Sequence, residues 1–184
     1  ERVSRAGFTV IPNGPRFHPK LIYCELLQRI RRAERRIYLT TPYFAPTRRF
    51  FWAMIAAAQR GVDVRLVVPQ VSDWKIADLV AQSHFSRAMK HGVLIYQYPE
   101  FIHTKAAVID EWATVGSCNL DSWSFLFDYE LNLATVQKEF VKEVVRQFFA
   151  DHLRSVELTY EVWERRSSWQ KFLEKSVFIF HPFV

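Results

Sequence analysis

Residues 101–119, FIHTKAAVIDEWATVGSCN, limit the chain to folds that can hold a tight two-stranded hairpin. Two short apolar runs, 106–109 and 112–115, flank the polar pair Asp110-Glu111. That pattern predicts two strands joined by a two-residue turn. A hairpin folded about Asp110 and Glu111 returns Gly116, Ser117, Cys118 and Asn119 beside His103 and Lys105. Side chains two apart on a strand share a face, so the imidazole and the ammonium point the same way. One hairpin end then gathers a nucleophile or proton carrier, a fixed positive charge, a hydroxyl and an amide. Such a set suits a phosphate. Gly116 lets the backbone approach closely.

Each residue alone is ordinary. A lone His or Lys is usually solvated, and Ser-x-Asn after a strand is usually turn chemistry. Together and in this order they make H-x-K-x4-D followed by G-S-x-N: His103, Lys105, Asp110, Gly116, Ser117 and Asn119. This resembles the signature of the phospholipase D superfamily. The wider run HTKAAVIDEWATVGSCNLDSWSF is similar to the second, C-terminal catalytic half of bacterial cardiolipin synthases. TPYF at 41–44, RGVDVRLVVP at 60–69, Ser72-Asp73, HGVLIYQY at 91–98 and YELNL at 129–133 extend the resemblance over nearly the whole chain. The family usually has six residues between the motif Asp and Gly, and this chain has five, 111–115. The missing residue falls at the predicted turn, where a shorter connection is absorbed.

The resemblance implies a catalytic set of His103, Lys105, Asp110 and Glu130, with no metal and no cofactor. His103 would attack phosphorus and form a phosphohistidine, and Glu130 would hydrogen-bond its ring. Lys105 and Asn119 would bind the non-bridging oxygens, with Ser117 in support. Two such motifs face each other in the family, and this chain supplies one. The other comes from a missing upstream half or from a second copy. The implied function is phosphatidyl transfer, making cardiolipin from phosphatidylglycerol and a second phospholipid. The alternatives are a homodimeric phospholipase D or nuclease, and a non-catalytic lipid-binding half. Anionic phospholipid and a membrane surface are the expected partners ahead of nucleic acid. The expected location is the cytoplasmic face of a bacterial inner membrane.

Along the chain, strand patterns at 8–11, 37–40, 62–68 and 93–96 alternate with helical patterns at 21–30, 47–59 and 74–90. Alternation of this kind predicts an α/β domain, with a mixed, largely parallel sheet flanked by helices. A further strand at 129–136 puts Tyr129, Leu131 and Leu133 on one face and Glu130 and Asn132 on the other. An amphipathic helix follows at 140–154. The catalytic domain is expected over 1–156, and 157–184 as an amphipathic tail suited to a membrane interface. A second H-x-K, His18-Pro19-Lys20, lacks the following Asp and G-S-x-N and is set aside.

The net charge of +6 fits an anionic partner, lipid or nucleic acid, without choosing between them. The 16% aromatic content is high, and apolar residues gather at two places, Trp123, Phe125, Leu126 and Phe127 directly after the motif, and Phe44, Phe50, Phe51 and Trp52 after an earlier strand. Exposed, these would form an apolar mouth among acyl chains. No run of ~18 apolar residues marks a membrane span. The two cysteines, Cys24 and Cys118, have no metal spacing, and Cys118 reads as a small packed residue. The start at Glu1, without Met or a signal pattern, reads as a cut from a longer protein.

Overall fold

The run at 63–69 is apolar on both sides because it occupies the middle of a sheet covered on both faces, where Val64, Leu66 and Val67 are buried. The structure, a computed structural model, describes residues 2–15 and 20–170. Its strands are β1 (Val3–Arg5), β2 (Phe8–Asn13), β3 (Arg36–Thr40), β4 (Phe44–Ala45), β5 (Asp63–Pro69), β6 (Leu94–Tyr98), β7 (Ala106–Ile109), β8 (Trp112–Gly116), β9 (Leu120–Asp121), β10 (Glu130–Thr135) and β11 (Val156–Leu158). Its helices are α1 (Leu21–Arg32), α2 (Arg48–Gln59), α3 (Lys75–Lys90), α4 (Ser122–Leu126), α5 (Lys138–Arg154) and α6 (Tyr160–Glu164).

The main sheet runs β1-β2-β10-β8-β7-β3-β5-β6-β11, and β4 pairs with β9 separately. The α/β class and the mixed, helix-flanked sheet agree with expectation. Within the main sheet, however, parallel pairing is confined to β3, β5 and β6; every other ladder is antiparallel. "Largely parallel" therefore describes only the α2 and α3 crossovers. The hairpin and β10 need no crossover and pair antiparallel.

Two apolar layers hold the helices. Ile22, Leu26 and Ile30 of α1, Phe50 and Met54 of α2 and Phe85 of α3 pack with Ile37, Leu39, Leu66 and Ile95. On the other face, Val141 and Phe148 of α5 cover Tyr38, Val67, Tyr96 and Val108, and the Tyr38 and Phe148 rings stack at 4.8 Å. Thr47 caps α2, its hydroxyl accepting from the Phe50 N–H at 3.2 Å.

The hairpin forms as expected, with Ala106 opposite Val115 and Ile109 opposite Trp112. The short Asp110–Gly116 spacing ends in a two-residue turn, and Asp110 takes a left-handed φ of 50°. Its carboxylate accepts from the backbone N–H groups of Glu34, Arg35 and Arg36 at 3.0, 2.9 and 3.1 Å. Burial pushes its pKa up, but these three donors and the Arg35 charge outweigh burial and hold it below the usual carboxylate value. Asp110 thus pins the turn to the start of β3, at the end of the hairpin remote from His103. Expected in the catalytic set, Asp110 here positions the hairpin.

On β10 the polar face is the inward one. Asn132 is buried and Glu130 half-buried, while Tyr129 and Leu131 are exposed, Leu131 to 55%. The boundary expected after 156 falls inside the domain, because β11 pairs with β6 and Trp163 is buried against Phe85, ring centroids 5.5 Å apart. His18 and the tail from 171 to 184 lie outside the described residues.

Asp110→Ala leaves three backbone donors without their acceptor and is expected to lower the melting temperature by roughly 3 °C at neutral pH. A carboxylate with a depressed folded pKa stabilises above its unfolded pKa, and that stability is lost as pH falls through the folded value. Melts repeated at decreasing pH should show the wild-type and variant temperatures converging; a constant gap would refute the charge-dependent pin.

Candidate active site

Because β7 runs antiparallel to β3, with Ala106 opposite Thr40, the residues before β7 arrive at the carboxyl end of β3. Crevices outside the carboxyl ends of parallel strands are where α/β sheets bind ligands. His103 and Lys105 sit here. The Lys105 ammonium lies 3.2 and 3.1 Å from Nδ1 and Nε2 of the His103 ring and donates to the His103 carbonyl at 3.0 Å. A neutral imidazole has one acceptor nitrogen, so the ammonium, with one hydrogen on the ring and one on the carbonyl, keeps one for an anion.

The return strand closes against them. The Gly116 N–H donates to the Lys105 carbonyl at 3.1 Å, and the Ser117 N–H to the Leu131 carbonyl at 3.1 Å. A side chain at Gly116 would collide with the Leu131 carbonyl and the Asn132 side chain of β10. The close approach expected of this glycine is therefore real. Asn132, 4% exposed, uses the space: its Oδ1 accepts from the Cys118 N–H at 3.3 Å, and its Nδ2 donates to the Thr114 hydroxyl at 3.2 Å. Cys118 is buried, and burial, then the Glu130 charge, pushes its thiol pKa well up. A packing role fits it.

Glu130 lies at the head of β10, but its carboxylate accepts from the Ser117 hydroxyl rather than from the His103 ring. The expected Glu130–His103 hydrogen bond is absent among the described residues. Glu130 instead anchors Ser117, whose Oγ also accepts from the Leu131 N–H at 3.0 Å. It is also near enough to act on Lys105. Burial lowers the Lys105 pKa, and the charges of Glu130 and Asp121 oppose that shift in part.

Asn119 donates to the Ser124 hydroxyl at 3.3 Å through one amide hydrogen, leaving the other for a ligand. Ser124 in turn donates to Asp121 at 3.1 Å, and the other Asp121 oxygen caps α4 through the Ser124 N–H at 2.7 Å. Burial raises the Asp121 pKa above the usual range, against these hydrogen bonds. Sequence reasoning missed Asp121 and Ser124. The Asp-x-x-Ser spacing before an apolar run was the available cap signal.

The rim is aromatic. The Phe101 ring centroid is 5.7 Å from that of His103, and Tyr43 bridges Phe101 and Trp74. The Tyr43 hydroxyl donates to Asp73. Burial and then that carboxylate push its pKa up to about 12. Of the expected apolar mouth, Trp123, Phe127 and Trp52 are exposed and Leu126 is half-buried. Phe44, Phe50, Phe51 and Phe125 are core: Phe44 and Phe51 lie against His84 of α3, and Phe125 against Tyr23 of α1 and Phe50 of α2.

Residues 26–152 match the family described as cardiolipin synthase, PLD-like domain. The chain belongs to that family. Among relatives of this PLD-like domain, the cardiolipin synthase A of Shigella dysenteriae is 33% identical over 186 aligned positions, covering all of this chain and 38% of that protein. The chain therefore spans little more than a third of such relatives. Two solved structures share the fold. The phosphatidylserine synthase of Haemophilus influenzae matches 95% of the chain and 46% of its own, with a TM-score of 0.72 and 15% identity. The phospholipase D family member Nuc of Salmonella typhimurium matches 83% of the chain and 99% of its own, with a TM-score of 0.69 and 17% identity.

Two outcomes test this geometry. Gly116→Ala must push β8 from β10 and is expected to destabilise the PLD-like domain by about 1–3 kcal/mol in denaturant titration; an unchanged midpoint would refute the close approach. Lys105, with its pKa lowered by burial, loses its charge at lower pH than a solvated lysine. Calorimetric binding of inorganic phosphate should weaken with a midpoint below the ordinary value of about 10.4, and Lys105→Arg should move that limb upward.

Proposed function

We propose that this chain is one half of a phosphatidyl-transferring site, with His103 as the nucleophile, and that it makes cardiolipin from phosphatidylglycerol and a second phospholipid. The observation that carries this reading is the contact of His103 with Lys105 at the carboxyl end of β3, with the spare amide donor of Asn119 on the return segment that follows β8. A phosphodiester repels nucleophiles because it is anionic, so the site must offset that charge first. Lys105 and the spare amide hydrogen of Asn119 do so at the non-bridging oxygens. One ring nitrogen of neutral His103 attacks phosphorus; the P–O bond to glycerol breaks, and the glycerol alkoxide takes a proton from the facing half. The second lipid's hydroxyl oxygen then attacks phosphorus, forming the new P–O bond as the P–N bond to His103 breaks, and its proton passes to the facing half, freeing the imidazole. Ser117 and Glu130 hold the wall of the site, and Glu130 sustains the Lys105 charge.

The facing half is an upstream segment of the same protein or a second copy. The fraction of its relatives that this chain spans supports the first, and the exposed Tyr129–Leu131 face of β10 offers apolar surface for such a neighbour. Among the described residues no helix is long and apolar enough to cross a membrane. Lipid substrates nonetheless require the site to work at a membrane surface. A homodimeric nuclease is the second reading, favoured by one observation: the chain covers nearly all of Nuc, a single-half protein in length.

In the intact protein, His103→Ala should abolish cardiolipin formation without lowering the melting temperature. Turnover of phosphatidylglycerol labelled at phosphorus, quenched in alkali, should leave label on the peptide containing His103. Cardiolipin formed by the Ala variant would remove the nucleophile assignment, and label transfer replaced by DNA cleavage would favour the nuclease.

A further inference from the structure

The amphipathic pattern of α2 leaves one side of the helix outside the core. Phe50, Phe51, Met54 and Ile55 are buried, whereas Arg48, Trp52, Ala56 and Arg60 recur every four residues on an exposed stripe. The twelve residue steps from Arg48 to Arg60 make the stripe about 18 Å long at ~1.5 Å per residue. With Arg49 beside its start and Arg31 of α1 beside it, the stripe lines an open groove of about 620 Å3 that no carboxylate lines. Arg31, Arg48 and Arg49 are exposed and have no ion pair or hydrogen bond among the described residues. Arg60 donates to the Ile30 and Ala33 carbonyls at 3.4 and 3.2 Å, closing the groove floor where α1 ends. Trp52 is 43% exposed, with the Arg87 guanidinium 5.8 Å from its ring centre.

The Arg48 end of the groove reaches toward the active-site mouth, and its Arg60 end lies where α1 ends. The Ser122 hydroxyl donates to the Ala45 carbonyl at 3.1 Å, tying the start of α4 to the segment just before α2. The exposed Trp123 and Phe127 rings, 5.2 Å apart, therefore stand near the Arg48 end of the stripe. Four guanidiniums spread over α1 and α2 exceed what one phosphate can engage, so charge complementarity calls for an array of anions. Indole rings that keep a polar edge beside such charges suit the headgroup layer of a bilayer.

We propose that the α1–α2 groove is a docking surface for an anionic phospholipid bilayer, separate from the His103 site, and that it sets the active-site mouth against the headgroups. The choice of phospholipid over other polyanions rests on the phosphatidyl-transfer reading above.

Co-sedimentation of the whole chain with vesicles tests the surface, comparing phosphatidylcholine alone with a mixture containing phosphatidylglycerol. The wild type should prefer the anionic vesicles. The variant Arg31→Gln/Arg48→Gln/Arg49→Gln should lose affinity on the order of a hundredfold at low salt. Arg5→Gln/Lys90→Gln/Lys138→Gln, an equal charge loss outside the groove, should lose far less. Equal losses in the two triple variants would overturn the proposal, as would equal wild-type binding to neutral and anionic vesicles. Displacement from vesicles by millimolar inorganic phosphate would overturn it in favour of a single-ion site, and tight salt-sensitive binding to single-stranded DNA without vesicle preference in favour of a nucleic-acid groove. Label on His103 reports the transfer chemistry separately: a groove variant that keeps the label but loses the vesicles isolates the docking surface, and loss of label with vesicle binding intact faults only the catalytic reading.

Discussion

The close passage of Gly116 against β10 is the contact on which the site depends. With no side chain at Gly116, the Leu131 carbonyl and the Asn132 amide come within reach of the loop that follows β8. Asn132 then ties two elements at once, holding Cys118 with its oxygen and Thr114 with its nitrogen. Ser117 is fastened from the same strand by Leu131 and Glu130. Buried polar groups that are fully paired rigidify their surroundings, and here they fix the wall facing His103 and Lys105.

The two ends of the hairpin divide the labour. At the turn, Asp110 converts the free backbone donors of 34–36 into an anchor, so β7 enters in fixed register with β3. At the open end, that register delivers Lys105 to the carboxyl end of β3, where burial weakens its hold on its proton and Glu130 opposes the loss. A carboxylate at the far end thus acts on the chemistry through strand placement alone. The five-residue spacing from Asp110 to Gly116 costs the site nothing, because the ladder from Ile109–Trp112 to Ala106–Val115 is continuous.

Charge is distributed with the same economy. The His103 end carries a shielded ammonium with a carboxylate nearby, suited to one phosphate at a time. The α1–α2 groove carries exposed arginines with no carboxylate in its lining, suited to many. The two regions are joined by α4, whose cap at Asp121 also supports Asn119 through Ser124.

By itself the sequence determined the hairpin, the helices and the motif residues, because apolar periodicity and the spacing around Asp110-Glu111 are local properties that need no knowledge of neighbours. Gly116 likewise announced a close approach through residue type alone. Tertiary structure decided the rest. Whether a strand pairs parallel or antiparallel depends on which strand lies beside it, so in the main sheet only β3, β5 and β6 met the parallel expectation. Which face of β10 turns inward depends on what covers it, so the polar Glu130–Asn132 face is inside and Leu131 is exposed. Phe44, Phe50, Phe51 and Phe125 share the composition of a membrane-facing patch with Trp123 and Phe127, and only packing against the helices separates core from rim. The partner of Glu130 is a contact between residues distant in sequence, and the position of Ser117, not the motif, selects it.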